Sequence, residues 1–379
     1  MKDLSIPKTL VVTNDFPPRI GGVQQYVRNL VGAFPPDALT VLAPRWEGWR
    51  EHDASVPFRV VRYSAKAIVP VREARDRVQS LARETDAEVA LLGSGFATSG
   101  FGAGLSRAGF PHVVLTHGVE YWLARIPGAA HAMGRSVSRA SRVTALSEFI
   151  LKQIRPMVPK HIPVSLCPPG VDVERFNPGV SGEDVRRRHG LSDRPLIVCV
   201  SRLVPRKGQD VLIRSMDAIR KRSPDASLII VGDGSYRARL ESLAREAPEG
   251  SVVFAGAVPD RTLPEYHAAA DVFAMPCRNR WGGLEVEGFG IVFMEAAASG
   301  RAVVAGDSGG SAEAVEDGRT GMVVNGSDPH AVAGAIAACL AEPEMAAALG
   351  KAGRARAEEH FAWPEIASMV AGYLREAAG

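Results

Sequence analysis

The chain has 379 residues, 46% hydrophobic and 23% charged, with a formal net charge of +3. That length holds two domains with full cores. The balance excludes a disordered or fibrous chain, and so small an excess of charge gives no sign of nucleic-acid binding. The four cysteines, Cys167, Cys199, Cys277 and Cys339, are widely spaced without a C-x-x-C pair. They read as core thiols rather than a disulfide or zinc site, which suits a reducing compartment. No apolar run reaches bilayer length. The opening "MKDLSIPKTLVVTNDF" lacks the basic and long apolar regions of a secretory signal. The expected location is cytoplasmic.

Short apolar runs alternate with helical patterns along the whole chain. The first runs cover 9–16, 39–44, 58–63, 88–95, 112–118, 142–147 and 164–170. Val and Leu fill successive positions, as in strands buried on both faces. Helical spacing lies between them, over 22–33 and 127–140 for example. "CPPGVDVERFNPGVSGED" (167–184) gathers proline, glycine and polar residues and predicts an interdomain linker. The runs restart at 196–203, 226–234, 251–258, 271–277, 301–307 and 321–324. This order predicts two tandem doubly wound α/β domains. Their ligands belong at the carboxyl ends of the strands, facing a cleft between the domains.

Charge is uneven. Residues 1–180 carry 22 basic and 15 acidic side chains, net +7, and the remainder carries 23 and 27, net −4. A positive first half either faces an anionic membrane surface or is uneven polarity without a role. Arg62, Lys66, Arg72, Arg75 and Arg77 lie close together. "VPVREARDRVQSLARE" predicts a helix with Val71, Ala74, Val78 and Leu81 along one side, which either meets lipid or packs on its own sheet.

Four turns stand at strand ends. Gly21 and Gly22 follow the first strand and precede an amphipathic helix, which makes either an anion site or an ordinary strand–helix turn. His117, in "THGVEYW", ends another strand and is either a satisfied polar residue or a functional one. Arg202, Arg206 and Lys207, in "SRLVPRKGQD", put three cations beside a helix start, where they repel one another unless an anion binds. "EGFGIVFMEAAASG" (287–300) carries Glu287 at a helix entrance and Glu295 about one turn inside. A buried, unpaired Glu295 would cost several kcal/mol, so it needs a cation or a hydroxyl-bearing partner such as a ribose. Glu287 stands free to take hydroxyls of a second polar group. Hydroxyls, anion and hydroxyls together describe a nucleotide-sugar.

These stretches resemble the retaining GT-B glycosyltransferases marked by a Glu-x(7)-Glu motif, the spacing of Glu287 and Glu295. The resemblance runs through "GGVQQY", "THG", "PPGVDVERF", "SRLVPRKG", "VGDG", "FAGAVPD" and "GGSAEAVEDGRTGMVV". More narrowly, "TNDFPPRIGGVQ" and "PCRNRWGGLEVEGFGIVFMEA" are similar to GDP-mannose-dependent phosphatidylinositol mannoside mannosyltransferases. The resemblance implies an acceptor-binding Rossmann-like domain over 1–170, rejoined by a C-terminal helix at about 364–379, and a nucleotide-sugar domain over 171–363. It implies that Arg202 and Lys207 bind the diphosphate, Glu295 the ribose and Glu287 the donor sugar. Phe289, Gly290 and Ile291 would present backbone amides and Val258 would touch the base. Gly21 and Gly22 would approach the diphosphate and His117 the transferred sugar, with Asn14, Asp15 and Arg19 on the acceptor side. It further implies front-face transfer with retention, no metal or other cofactor, a glycolipid acceptor, and reversible peripheral contact with the inner face of the cell membrane. The loop "HGVEYWLARIPGA" departs from the pattern of the phosphatidylinositol group. Competing expectations are a soluble acceptor, a UDP-sugar donor, an epimerase, or a nucleotide-sugar-binding module without turnover.

Overall fold

The computed structural model describes residues 2–19, 21–123, 125–126 and 128–379. The chain divides into two units, one running to Gly170 and including Trp363–Gly379, the other spanning Val171–Ala362. The first contains β1 (Thr9–Val12), β2 (Leu39–Pro44), β3 (Arg59–Tyr63), β4 (Val89–Leu92), β5 (His112–Val114), β6 (Arg142–Ala145) and β7 (Val164–Leu166). They form one parallel sheet in the order β3-β2-β1-β4-β5-β6-β7. The second contains β8 (Leu196–Val200), β9 (Ser227–Val231), β10 (Val252–Gly256), β11 (Val272–Met275), β12 (Ala302–Gly306) and β13 (Met322–Val324). They run parallel in the order β10-β9-β8-β11-β12-β13.

Burial follows sheet position. β1, β2 and β4 are buried throughout, whereas the edge strands β3, β7, β10 and β13 are only partly covered. Parallel strands with helices on both faces must be apolar at successive positions, so interior strands read as unbroken Val and Leu runs. Each sheet reverses its strand order once, between β1 and β4 and between β8 and β11. In doubly wound sheets ligands bind just beyond the carboxyl ends of the strands at that reversal.

Helix Gly22–Gly32 follows β1 and buries Tyr26, Val27, Leu30 and Val31 in the first core. The helical pattern read over 127–140 is realised as Ala129–Val137; residue 127 lies outside the described residues. Helix Trp363–Ala378 packs Ile366, Ala367, Val370, Ala371 and Leu374 into the same first core. The stretch read as a linker is not loose. Val171 and Phe176 are buried in the second core, and the Val171 amide donates to the Phe361 carbonyl at 2.7 Å.

The cationic helix of the first unit spans Arg72–Glu84. Of the expected stripe, Ala74, Val78 and Leu81 are buried against its own sheet and not available to lipid, whereas Val71, just before the helix, is 52% exposed. Arg62 is also not a surface cation. Its side chain is 2% exposed, ion-paired with Asp53 at 2.6 Å and bonded to the carbonyls of Pro44 and Pro17. Position 62 lies on the edge strand β3, and the Phe16 ring at 5.6 Å together with Pro17 and Asp53 covers its side chain.

Among the described residues no single helix is long and apolar enough to cross a bilayer. One bent pair, Pro329–Ala341 with Pro343–Phe361 at 101°, passes on length and composition. Its Val332, Ala333, Ala335 and Ile336 fill the second core.

His112, at the start of β5, is completely buried, and neither ring nitrogen makes a well-formed hydrogen bond. A Cβ at Gly102 would lie 2.4 Å from its Nε2, so glycine there makes room for the ring. Burial pushes the imidazole down to about 4. The unfolded chain therefore binds this proton more readily than the folded one between pH 6.5 and 4, and stability falls as pH drops through that window. We expect about 2–3 kcal/mol of stability, an order-of-magnitude figure, to be lost between pH 7 and 4. Urea melts at several pH values check this. His112→Leu should flatten the slope, leaving the share of His117; an unchanged slope would contradict the assignment.

Candidate active site

The second unit gathers its charges at the β8–β11 reversal. After β8 the chain makes a single 3-10 turn, Pro205–Lys207, and enters helix Gln209–Arg220 through Gly208. Gly208 has φ +78°, and a Cβ there would lie 1.9 Å from the Pro276 carbonyl oxygen. Only glycine lets the two strand-end loops approach this closely. Gln209, fully buried, bonds Ser201 Oγ at 2.8 Å and the Arg202 carbonyl at 2.9 Å, bracing the loop from behind.

Lys207 Nζ lies 2.6 Å from Glu287 Oε2, and Arg206 bonds the same oxygen. Glu287 is 7% exposed, not open at a helix entrance as its sequence position suggests. Burial alone would raise its carboxyl, but the charges of Lys207 and Arg206 outweigh burial and hold it below the usual range. The backbone around it is equally fixed. The Glu287 amide donates to Ser308 Oγ at 3.0 Å, and its carbonyl accepts from Gly310 N at 2.9 Å. A Cβ at Gly309, φ +56°, would lie 2.1 Å from that carbonyl oxygen. The "GGSAEAV" stretch is thus the mould for Glu287.

Three neighbouring cations were expected to need an anion. Glu287 supplies it for two. Arg202 is left exposed, with no acidic partner among the described residues. It is the cation with an uncommitted guanidinium.

Glu295 sits in helix Ile291–Ala298, entered through Gly290 at φ +91°, where a Cβ would meet the Phe293 ring at 2.5 Å. Its carboxylate is not sunk in the apolar run. Phe293, Met294, Ala296, Ala297 and Ala298 are buried, while Ile291, Val292 and Glu295 share the partly exposed stripe that helical spacing allows. The side chain is 14% exposed, and His267 Nε2 lies 3.3 Å from Oε2. His267 is buried and stacked on Phe273 at 5.2 Å. Sequence spacing gives no hint of it, because it comes from a helix 28 positions earlier. Phe289 is buried and packs against Phe361 at 5.5 Å, so only its backbone is left for a ligand. Val258, partly buried, follows β10 and packs on the second core.

In the first unit Gly21 adopts an extended φ of 168° and caps helix Gly22–Gly32 without a side chain. A Cβ at Gly21 would meet Gln24 Oε1 at 2.2 Å, whereas Gly22 faces open space. Asn14 bonds the Ile68 backbone twice, at 3.0 and 2.6 Å, and holds that loop. Asp15 accepts from Gln24 Nε2 at 2.6 Å. Arg19 is exposed, stacked over Trp46 at 5.3 Å.

His117 Nε2 lies 2.9 Å from the Gly93 carbonyl. A carbonyl only accepts, so Nε2 carries the proton and Nδ1 keeps a lone pair. Burial lowers its pKa despite Asp15 and the Gly93 bond, so the ring is neutral at pH 7. Beneath it lies Glu120, 2% exposed. One carboxylate oxygen accepts from Gly95 N at 3.0 Å and the other from His117 N at 3.1 Å. This single side chain clamps the loops after β4 and β5. The signal was present as the only acid in "HGVEYW". Burial raises its carboxyl, and the amide bonds oppose this only in part. Glu120→Gln turns one acceptor into an NH2 facing a backbone N–H. We expect a stability loss of about 1.5–3 kcal/mol and faster amide exchange at 93–97 and 117–120. Unchanged exchange there would refute the clamp.

Two family profiles cover most of the chain. "Glycosyltransferase Family 4" matches residues 20–175 and "Glycosyl transferases group 1" matches 182–356. The chain is 43% identical to the GDP-mannose-dependent alpha-(1-6)-phosphatidylinositol monomannoside mannosyltransferase of Mycolicibacterium smegmatis, over 96% of this chain and 97% of the relative. It is 36% identical to the GDP-mannose-dependent monoacylated alpha-(1-6)-phosphatidylinositol monomannoside mannosyltransferase of Corynebacterium glutamicum, over 97% and 98%. Among solved structures, Anabaena HepE in complex with UDP superposes with a TM-score of 0.83 at 21% identity, over 98% of this chain and all of that one. That likeness establishes the GT-B fold.

Proposed function

Since this chain belongs to the glycosyltransferase family of the phosphatidylinositol monomannoside mannosyltransferases, we propose that it transfers mannose from GDP-mannose to a phosphatidylinositol mannoside-type glycolipid. The observation that carries the donor assignment is the cluster of Arg202, Arg206, Lys207 and Glu287 at the β8–β11 reversal. Arg202 and Lys207 take the diphosphate, with the N-terminus of helix Ile291–Ala298 adding free amides from Gly290 onward. Glu295 takes the ribose hydroxyls, and Glu287 takes those of the mannose. Asn14, by contrast, acts through the Ile68 loop rather than on the acceptor itself.

In the reaction the bond from mannose C1 to the phosphate oxygen breaks and a bond from C1 to the acceptor oxygen forms on the same face. The acceptor hydroxyl gives its proton to the departing phosphate oxygen, and GDP leaves. Fixed cations stabilise the developing phosphate charge. No metal is required in this scheme. Among the described residues no three His, Cys, Asp or Glu side chains gather as a metal site.

We further propose that the first unit meets an anionic bilayer through loops rather than through helix Arg72–Glu84. Val69, Val71, Phe96, Val119, Trp122 and Ile126 are all at least 40% exposed. They rise from the segments after β3, β4 and β5, which touch one another: a Cβ at Gly100 would meet Pro70 and one at Gly95 would meet Glu120. Exposed Lys66, Arg72 and Arg75 flank them. Basic residues near an anionic leaflet contribute about 1 kcal/mol each and fade with salt.

GDP release from GDP-mannose tests the reading. We expect release only with a phosphatidylinositol monomannoside acceptor, and none from UDP-glucose. Release without acceptor would favour hydrolysis or epimerisation, and a UDP preference would reassign the donor. Arg202→Ala and Lys207→Ala should each lower kcat roughly a hundredfold, about 3 kcal/mol. Glu295→Gln should weaken GDP binding in calorimetry where Glu287→Gln does not; equal loss would undo this division of roles.

A further inference from the structure

Lys207 and Arg206 bond one and the same oxygen of Glu287, yet their surroundings differ. Lys207 ends the 3-10 turn directly before Gly208 and the start of helix Gln209–Arg220, where the helix field favours an anion. Arg206 is built into the segment that carries Glu287 itself. Its Nε lies 3.8 Å from Glu285, Arg280 bonds Glu285 at 3.0 Å, and Arg280 and Glu285 also pair through their backbones. The Arg206 carbonyl accepts from Arg278 N at 2.9 Å, and Arg278 is ion-paired with Asp210 at 3.0 Å. One cation is thus free to follow a ligand, and the other is tied to residues 278–287.

We propose that Arg206 is a positioning residue, the permanent counterion that keeps Glu287 ionised and aimed while Lys207 moves from Glu287 to the donor diphosphate. This rests on the assignment of Glu287 to the donor sugar. A carboxylate as covered as Glu287 cannot lose both cations and stay charged. Lysine is a point charge on a flexible stem, suited to changing partners. Arginine cannot be deprotonated and holds its geometry. The groups facing Glu287 are Lys207 and Arg206 from the turn after β8, Glu285 behind Arg206, the neutral Ser308 and Asn279, and the Cys277 thiol. Burial, with Glu287 nearby, pushes that thiol up to about 11, so it stays uncharged. Among the described residues Arg206 is therefore the one cation left paired with Glu287 once the donor is bound.

The test is kcat for mannosyl transfer from GDP-mannose against pH, with GDP affinity by calorimetry, in the native protein, Arg206→Gln and Arg206→Lys. Without the guanidinium, burial raises the Glu287 carboxyl, so activity that needs it ionised fails at higher pH. Arg206→Gln should lower kcat about tenfold or more and move the acid limb up by about one pH unit, with GDP affinity within about threefold of native. Retained GDP affinity also shows that the variant is folded. Arg206→Lys should bring the limb back toward the native position. Lost activity with an unmoved limb would overturn the proposal, as would GDP affinity falling as far as kcat, which would make Arg206 a phosphate ligand. If Glu287→Gln leaves transfer unchanged while GDP still binds, the assignment of Glu287 fails and takes this inference with it.

Discussion

The second unit is organised around one covered carboxylate held by two cations. Ion pairs taken out of water stabilise little unless their geometry is fixed and their remaining valences are met. Here the fixing is extensive. Gly208 and Gly309 let backbones approach within distances no side chain tolerates, Gln209 braces the cation loop, and Ser308 with Gly310 holds the backbone of Glu287. The unit's apolar sheet supplies the platform, since β8 and β11 deliver both charged loops to the same edge. Such a cluster is costly as a stabilising device; in the proposed donor role its lysine is already desolvated and need only exchange partners.

The first unit uses a different arrangement for a similar end. There a single buried acid, Glu120, joins the loops after β4 and β5 by accepting two backbone amides. His117 is placed and kept neutral on one of those loops. Asn14 performs the matching task for the loop at Ile68. Polar side chains at strand ends thus hold other loops in place, and Val69, Phe96, Val119 and Trp122 on or beside those loops are turned outward.

Much of this was legible in the sequence. Interior strands are legible because burial on both faces demands unbroken apolar runs. The runs overshoot the strands at their carboxyl ends, 9–16 against Thr9–Val12 and 112–118 against His112–Val114, because those residues leave the ladder to form the turns that follow the strands. The entry of helix Ile291–Ala298 at its glycines is legible from turn chemistry. Pairings across sequence are not. The spacing of Glu287 and Glu295 says nothing of Lys207 and Arg206, which arrive from the end of β8, or of His267, which arrives from a helix. Charge patterning misleads at Arg62, a cation that looks exposed in a basic stretch but has a covered side chain bonded to Asp53 and Pro17. A net charge cannot tell a surface arginine from one that closes a loop.

The central claim is that the Glu287 cluster is a donor site whose lysine changes partner. A crystal structure of the complex with GDP-mannose measures this directly. The account predicts that Lys207 Nζ moves from 2.6 Å to beyond about 4 Å from Glu287 and contacts the diphosphate together with Arg202, while Arg206 stays bonded to the carboxylate. A complex in which Lys207 remains on Glu287 and the diphosphate touches neither Lys207 nor Arg202 would contradict it.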